Sequence, residues 1–415
     1  MRRSTFLAAA GTAAATSAHA PAAFAANATV RIGMLDSYSG VFSDIANYHK
    51  IGAQIALAEA NARGRVRYEL VYGDDTSAPQ PGVTETRRLI DQEKVDVLMQ
   101  GTSSAVALAI APIALEAGVF TLFVGPQDSS LTGARATATA YRLPPAVQMF
   151  TRVLGRRILT GGKRWYFIVA DYAFGRDGYG QLSAILKNAG GTEVGADFLK
   201  LGTNDFSSTL TKIRDTQTDQ VVLCQGGLDV AVCAKQFVDF GLHKKMKLAG
   251  MTLEDFYYKT LPLDELAGSI FAVLWSPNVS PSAKRIARTI AAKVGPFVSL
   301  RHYLGYVATK QMIERIEAAG TTKADKLAAA FHDARFEAYK DQPAIWRGCD
   351  HQAIQPVYAG SMVGRTRFAQ TNTLFDIVGA TETLDSSGAC GTGTAAAAAA
   401  AIATQRIPDR AFKTL

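Results

Sequence analysis

Residues 95–125 read VDVLMQGTSSAVALAIAPIALEAGVFTLFVG, and this stretch decides the class of fold. It begins with the apolar run 95–99, which predicts a buried β-strand, and it ends with a second such run at 119–123. Between them, 104–117 has the length of a helix, and a serine stands at its start, where helices are commonly capped. A strand, a helix and a second strand in succession predict a βαβ unit with parallel strands.

The same alternation continues on both sides of this unit and restarts after a break at Leu143-Pro144-Pro145. Further strands are predicted at 30–35, 68–72, 165–169, 220–224, 247–251 and 271–275, and β-rich sequence at 344–363. Further helices are predicted at 44–63, 83–93, 176–189, 205–215, 229–240, 282–294, 299–319 and from about 324. The fold class is therefore α/β, built from two open parallel sheets with helices on both faces.

Composition excludes several classes of protein. The chain has 415 residues, of which 48% are hydrophobic and 19% charged, so it is not a disordered chain. At roughly 100–200 residues per domain we expect two domains. Beyond the first residues no apolar run approaches the ~20 residues of a membrane span. The net charge is +8, but lysine and arginine are scattered and no nucleic-acid-binding motif occurs, so we expect no nucleic-acid partner.

The N-terminus predicts export. Met1-Arg2-Arg3 is followed by the weakly apolar run 6–18 and by Ala23-Phe24-Ala25, which together describe a signal peptide over 1–25. Arg2-Arg3 leaves the Sec and twin-arginine routes both open. We therefore predict a soluble periplasmic protein.

The C-terminal segment 384–415 reads as a low-complexity tail. It contains Gly-Thr-Gly-Thr and the alanine run 395–401. Alanine favours helix, but this run has no apolar stripe, so we expect it to have nothing to pack against and to form a peripheral or disordered extension.

Cysteine and histidine give no sign of catalysis or metal binding. Cys224 and Cys233 are either a disulfide or two buried thiols, and Cys349 with Cys390 is a second possible pair. The histidines lack metal-ligand spacing. Cys349-Asp350-His351 lacks a nucleophile, base and orienting group in recognisable order. We expect no enzyme, no metal and no cofactor.

Several short motifs in order resemble one known family over residues 29 to 380. They are Arg31-Ile-Gly-Met-Leu with Tyr38-Ser-Gly, Gly101-Thr-Ser-Ser, the turn 125–132, Ala170-Asp-Tyr-Ala-Phe-Gly, Asn204-Asp-Phe-Ser-Ser, the segment 236–242 and Cys349-Asp-His-Gln. The chain resembles type I periplasmic solute-binding proteins of the leucine/isoleucine/valine-binding family.

The resemblance implies two Rossmann-like lobes joined by three crossovers, with a ligand cleft between them. Lobe one would comprise 29–143 plus 276–353, and lobe two 146–273 plus 357–380. The crossovers would lie near Pro144-Pro145, near 275–277 and near 352–356.

In open α/β sheets, ligands lie beyond the carboxyl ends of the strands, where 101–105 is placed. The hydroxyls of Thr102, Ser103 and Ser104 either cap the following helix or hold an anionic group together with the helix N–H groups. The resemblance implies that Ser104 binds a ligand carboxylate.

The neighbouring loops extend this candidate site. The resemblance implies that Gly125 offers a backbone N–H, and it places Gln127 where leucine-binding relatives carry a hydroxyl. In the first loop, Tyr38 and Phe42 either line the pocket or pack at the end of the strand.

From lobe two, the resemblance implies an aromatic residue that closes over the ligand, for which Tyr172 and Phe174 are the candidates. Gln225 lies at the next strand end and is a further candidate for ligand contact.

An α-ammonium group needs a carboxylate partner when it is buried. Asp229, Glu254 or Asp255 are candidates, but Asp229 is equally suited to capping its helix, and Glu254 and Asp255 to solvent. None matches the family's amino-binding acid unambiguously. The ligand is therefore left open between an amino acid, an aromatic or aliphatic acid, and an amide.

The resemblance implies a monomeric substrate-binding protein of an ABC importer. It would close on a small solute, a branched-chain or aromatic amino acid or a related carboxylate, and deliver it to permease subunits at the inner membrane. The alternatives are the same fold as a solute receptor for a sensor, or an amide-like, urea-like or aromatic acid ligand.

Overall fold

The computed structural model describes residues 28–64, 66–380 and 393–408, so the predicted signal peptide lies outside the described residues. The β-strands, in chain order, are β1 (Thr29–Asp36), β2 (Arg67–Asp74), β3 (Val97–Gln100), β4 (Phe120–Phe123), β5 (Ala140–Arg142), β6 (Arg164–Ala170), β7 (Thr192–Leu199), β8 (Gln220–Cys224), β9 (Lys247–Gly250), β10 (Ile270–Val273), β11 (Arg335–Phe336), β12 (Ala344–Arg347), β13 (Gln352–Ile354), β14 (Tyr358–Met362) and β15 (Phe375–Ala380).

The α-helices are α1 (Ser43–Asn61), α2 (Pro79–Arg87), α3 (Ser104–Glu116), α4 (Val147–Leu159), α5 (Ala173–Asn188), α6 (Ser207–Arg214), α7 (Leu228–Asp239), α8 (Leu263–Leu266), α9 (Pro281–Val294), α10 (Leu300–Ala319), α11 (Ala324–Phe331), α12 (Arg365–Thr371) and α13 (Gly393–Ala403). Within the described part of the chain, no helix combines the length and the apolar character that a bilayer crossing requires.

The strands form two sheets, which confirms the predicted α/β fold with two lobes. The first has the order β11-β12-β13-β5-β4-β3-β1-β2, and the second has the order β15-β14-β10-β9-β8-β6-β7. The strands from β5 to β2 pair in parallel, as do those from β10 to β7, because helices connect them. Antiparallel pairs occur between β11, β12 and β13 and between β10, β14 and β15.

The late strands return to both sheets. β11 to β13 join the first sheet, whereas β14 and β15 join the second, although they follow one another in the chain. We therefore propose 29–143 plus 276–353 as lobe one and 146–273 plus 357–380 as lobe two. β13 continues to Ile354, one residue past that limit.

The described part of the tail packs on lobe one. Helix α13 contacts the turn Ser129–Thr132, and Ala398 in it is fully buried. After the helix, the Gln405 side chain donates to Ala136 O and accepts from Ala138 N at 2.7 Å. The expectation that the alanine run has nothing to pack against was wrong, because a smooth alanine face allows close approach without an apolar stripe.

The structure selects one of the two alternatives left open for Cys224 and Cys233, that of buried thiols. Cys224 and Cys233 are both buried and free, so no disulfide joins them. Burial raises the pKa of both thiols. Cys349 is disulfide-bonded, and Cys390, the partner predicted for it, lies outside the described residues.

Helices α1 and α10 cross in close contact beside the cleft, and two glycines allow this approach. A Cβ on Gly52 would lie 2.0 Å from His302 O, and a Cβ on Gly305 would lie 2.1 Å from His49 O. Both obstacles are backbone atoms, which have little room to move. The two helices are thus held at a distance that only glycine permits.

Gly52→Ala is expected to lower the free energy of unfolding by about 1–3 kcal/mol, because the added methyl group forces the helices apart. Chemical denaturation measures this. The control is Gly180→Ala, a glycine of α5 with open space around its Cβ position, which should stabilise by about 0.4–1 kcal/mol. Equal stability of wild type and Gly52→Ala would contradict the close crossing.

Candidate functional site

A small cavity lies between the two sheets, at the carboxyl ends of their parallel strands. Its walls come from loops that follow β1, β3 and β4 of lobe one and β6, β8 and β9 of lobe two, and from the first turn of α10. The lining residues are Phe42, Ile45, Thr102, Ser104, Gly125, Gln127, Tyr172, Phe174, Gly226, Gly227, Thr252, Glu254 and Arg301. This is the position in which open α/β sheets bind ligands.

Five of the predicted residues lie outside this lining: Tyr38, Ser103, Gln225, Asp229 and Asp255, the last of which contacts the start of α10. Tyr38 packs edge-on against the Tyr72 ring, 5.7 Å between centroids. Ser103 caps α3 by accepting from Val106 N. Gln225 is buried, and its backbone carbonyl accepts from the Thr252 hydroxyl. Asp229 accepts from Gly202 N at 2.9 Å.

The turn before α3 divides two tasks between adjacent serines. Ser103 is the helix cap, whereas the Ser104 oxygen accepts from Gln127 N at 3.1 Å and from Asp128 N at 3.2 Å. These two bonds occupy both lone pairs of the Ser104 hydroxyl. Its proton is therefore directed to an acceptor, and Ser104 lines the cavity with one hydrogen bond to give.

Aromatic rings from both lobes meet at the cavity. The ring centroids of Phe42 and Tyr172 are 6.2 Å apart, and those of Tyr172 and Phe174 are 6.1 Å apart. Gly227, at φ +69°, makes this approach possible, because a Cβ there would lie 2.8 Å from the Phe42 ring. The glycines at 226 and 227 were missed in the sequence, where they read as an ordinary loop.

A buried ion pair joins the two lobes at the cavity, and its arginine was also missed. Arg301 lies in the first turn of α10, and it donates to Glu254 through Nε at 2.8 Å and through Nη2 at 2.6 Å. Both side chains are almost fully buried, at 6% and 1% exposure. Burial lowers the pKa of Arg301, but the charge of Glu254 and its hydrogen bonds outweigh this and raise it overall.

Other contacts hold the lobes together around the cavity. Ser129 N donates to Asp177 at 2.7 Å, and the Tyr48 and Phe256 rings stack with centroids 4.4 Å apart. Asp255 accepts from the Ser299 hydroxyl and from a backbone N–H at the start of α10. Burial raises the pKa of Asp255 to about 7, and these hydrogen bonds oppose the rise. The structure therefore shows the cleft closed.

A buried acidic cluster supports the first loop beneath the cavity. Asp36 lies 3.0 Å from His49 Nδ1 and accepts from the Thr102 hydroxyl at 2.7 Å. Ser37 donates through its hydroxyl to Asp75 at 2.5 Å. Burial raises the pKa of Asp75 to about 7, and the negative charge of Asp36 adds to the rise.

The described part of the chain contains no group of three or more His, Cys, Asp or Glu side chains placed to hold a metal ion.

Comparison with known proteins places this geometry in a family. A family model described as periplasmic binding protein matches residues 29–366. The chain is 25% identical over 316 residues to the Leu/Ile/Val-binding protein BraC3 of Rhizobium johnstonii, covering 75% of this chain and 85% of the relative. This chain therefore belongs to the type I periplasmic binding proteins of the Leu/Ile/Val-binding family.

Solved structures share the fold. One is the amino acid ABC transporter substrate-binding protein of Pseudomonas fluorescens Pf-5, with a TM-score of 0.79, 21% identity and coverage of 90% of this chain and 99% of that one. Another is a solute-binding protein of an ABC transporter from Rhodopseudomonas palustris BisB5, in complex with 3,4-dihydroxybenzoic acid. Its TM-score is 0.77, its identity 20%, and it covers 85% of this chain and 97% of that one.

The acidic cluster generates a pH prediction. In the unfolded chain Asp75 has an ordinary pKa near 4, whereas in the folded chain it is about 7. The folded state thus holds this proton more tightly. The stabilisation by the bound proton is complete below pH 4 and is lost as the pH rises through 7. Asp75→Asn does not ionise and therefore keeps its stability over this range.

The free energy of unfolding of Asp75→Asn minus that of wild type should increase by about 2–3 kcal/mol as the pH rises from 5 to 8. Urea denaturation at both pH values measures the difference. Asp239→Asn, a half-exposed control on α7, should show no such gain. A constant difference for Asp75→Asn at the two pH values would refute the buried acid.

Proposed function

We propose that this chain is the substrate-binding protein of an ABC importer, which captures one small solute in the periplasm and delivers it to permease subunits in the inner membrane as a monomer. The observation that carries the proposal is the cavity between the carboxyl ends of the two sheets, with polar and aromatic groups contributed by both lobes. The names of its relatives, which are binding proteins rather than enzymes, support it.

The mechanism follows from which groups meet across the cleft. A solute in the cavity contacts Ser104 and Gln127 of lobe one together with Tyr172 and Phe174 of lobe two. Because it contacts both lobes only when they are closed, its binding energy shifts the population toward the closed form. Micromolar affinity requires about 8 kcal/mol in total, which a few hydrogen bonds and a desolvated apolar body provide.

The solute class is a small carboxylate, such as an aromatic acid, or a branched-chain or aromatic amino acid. One structural relative is an amino acid ABC transporter substrate-binding protein, and another was solved in complex with 3,4-dihydroxybenzoic acid. The cavity offers the hydroxyl of Ser104 beside aromatic rings. Its small size admits a compact molecule rather than a peptide.

Solute capture is tested with a panel of leucine, phenylalanine, benzoate, 4-hydroxybenzoate and benzamide. We expect at least one to raise the melting temperature and to reduce the radius of gyration in small-angle X-ray scattering, because closure compacts the protein. Lysozyme under the same conditions controls for effects of the additives. A panel that moves neither quantity would contradict the proposal.

Ser104→Ala is expected to weaken the binding of a carboxylate member of that panel by about 1–3 kcal/mol, because a buried donor to a charged group is lost. Isothermal titration calorimetry measures the change. Ser208→Ala, on the exposed face of α6, is the matched control and should bind as wild type does. Unchanged affinity of Ser104→Ala would remove this hydroxyl from the site.

A further inference from the structure

The acid at the cavity is already paired. Among the residues that line the cavity, Glu254 is the only one with a carboxylate, and Arg301 occupies both of its oxygens through two parallel hydrogen bonds. The pair is bidentate and buried, which is the strongest geometry for these groups. The charge of Glu254 is therefore already compensated, and a ligand ammonium group would have to share this carboxylate with the Arg301 guanidinium.

The two other acids that the sequence offered as ammonium partners are also engaged. Asp229 accepts from the backbone N–H of Gly202. Asp255 accepts from Ser299 and from Leu300 N, with one bond to each oxygen. Among these three acids, a zwitterionic amino acid would thus find no carboxylate without a partner for its ammonium group, and an unpaired buried cation is strongly unfavourable.

The unsatisfied polar atoms of the residues that line the cavity are donors. Among its lining residues, the buried side-chain atoms without a hydrogen-bond partner are Arg301 Nη1 and Gln127 Nε2. The Ser104 hydroxyl is a third donor, because both of its lone pairs already accept backbone N–H groups. Buried groups of this kind normally have a partner, so the cavity is prepared for an acceptor.

We propose that Arg301 is a specificity-determining residue: it neutralises Glu254 and, with Ser104 and Gln127, binds the carboxylate of an aromatic acid that carries no ammonium group. This inference rests on the proposed function and names its substrate class. The remaining wall fits the apolar body of such a ligand, since Phe42, Tyr172 and Phe174 surround it.

The same contacts oppose the binding of a ligand ammonium group in this cavity. Arg301 stays charged, because the charge of Glu254 and its hydrogen bonds raise its pKa against the effect of burial. Its guanidinium repels a second cation at short range, and this repulsion adds to the lack of an acceptor. Selectivity against amino acids therefore comes from a repulsive element as well as from the attraction of the carboxylate.

The first test uses the wild-type protein and two pairs of ligands, each matched in size. Calorimetry should show benzoate binding at least about tenfold more tightly than benzamide, its neutral analogue, and 3-phenylpropanoate binding at least about tenfold more tightly than phenylalanine, which adds only an ammonium group to it. Phenylalanine binding more tightly than 3-phenylpropanoate would overturn the inference and leave the proposed function intact. If no ligand bound, the proposed function would itself be contradicted.

The second test uses Arg301→Gln and Glu254→Gln. Arg301→Gln should weaken benzoate binding at least about tenfold, since a charge-assisted bond is lost. Glu254→Gln should strengthen it at least threefold, because a negative charge beside the ligand is removed while Arg301 gains free donors. Arg63→Gln, which breaks an exposed ion pair with Glu317, is the matched control and should bind as wild type.

The direction of the Glu254→Gln effect decides between the two roles of this acid. If Glu254 held a ligand ammonium group, the variant would lose phenylalanine binding, and benzoate would not improve. Circular dichroism establishes whether each variant is folded. Should Arg301→Gln fail to fold, the wild-type ligand comparison and Glu254→Gln still test the inference.

Discussion

The direction of the parallel strands is the constraint on which the site depends. Because β1, β3 and β4 end at one edge of the first sheet, and β6, β8 and β9 at one edge of the second, six loops from distant parts of the chain reach the same narrow space. Each loop then needs to contribute only one or two side chains. The late return of β11 to β15 to both sheets ties the lobes together, so that their loop-bearing edges stay opposed.

Within that space, charge is balanced between the lobes. Arg301 comes from a helix of lobe one and Glu254 from a loop of lobe two, and removing one member of such a buried pair costs about 3–5 kcal/mol. Because that cost comes from leaving a buried charge without its partner, each member of the pair requires the other when the cleft is closed. The asymmetry of its hydrogen bonds is important, since Glu254 is satisfied while one nitrogen of Arg301 still lacks a partner.

The sequence predicted most of the fold because buried strands and long helices repeat strongly; the strand predicted at 220–224 coincides with β8. It missed β7, an edge strand whose residues are all at least partly exposed, so that no apolar pattern marks it. It also missed α4, although Val147, Phe150, Leu154 and Ile158 lie at helical spacing on its buried face.

Side chains at the site were less predictable, because a residue whose partner is distant in the sequence leaves no local pattern. Ser104 and Tyr172 follow strands, and that position alone predicts them. Arg301 gives no local signal, since it looks like any surface residue of a helix and its partner is 47 residues away in the sequence. The adjacent acids Glu254 and Asp255 are equivalent in sequence, and both contact the start of α10, yet one pairs with the Arg301 side chain and the other accepts from a serine hydroxyl and a backbone N–H.

The docked tail has a consequence for how the ends of the molecule move. Strand β15 belongs to the second sheet, but α13 and Gln405 rest on the first lobe, so the polypeptide connects the two halves a fourth time. A fluorophore near position 405 would consequently travel with the lobe built on the first sheet rather than with β15. Paired with a dye on the exposed surface of α6, it would report the change in distance between the lobes as they open.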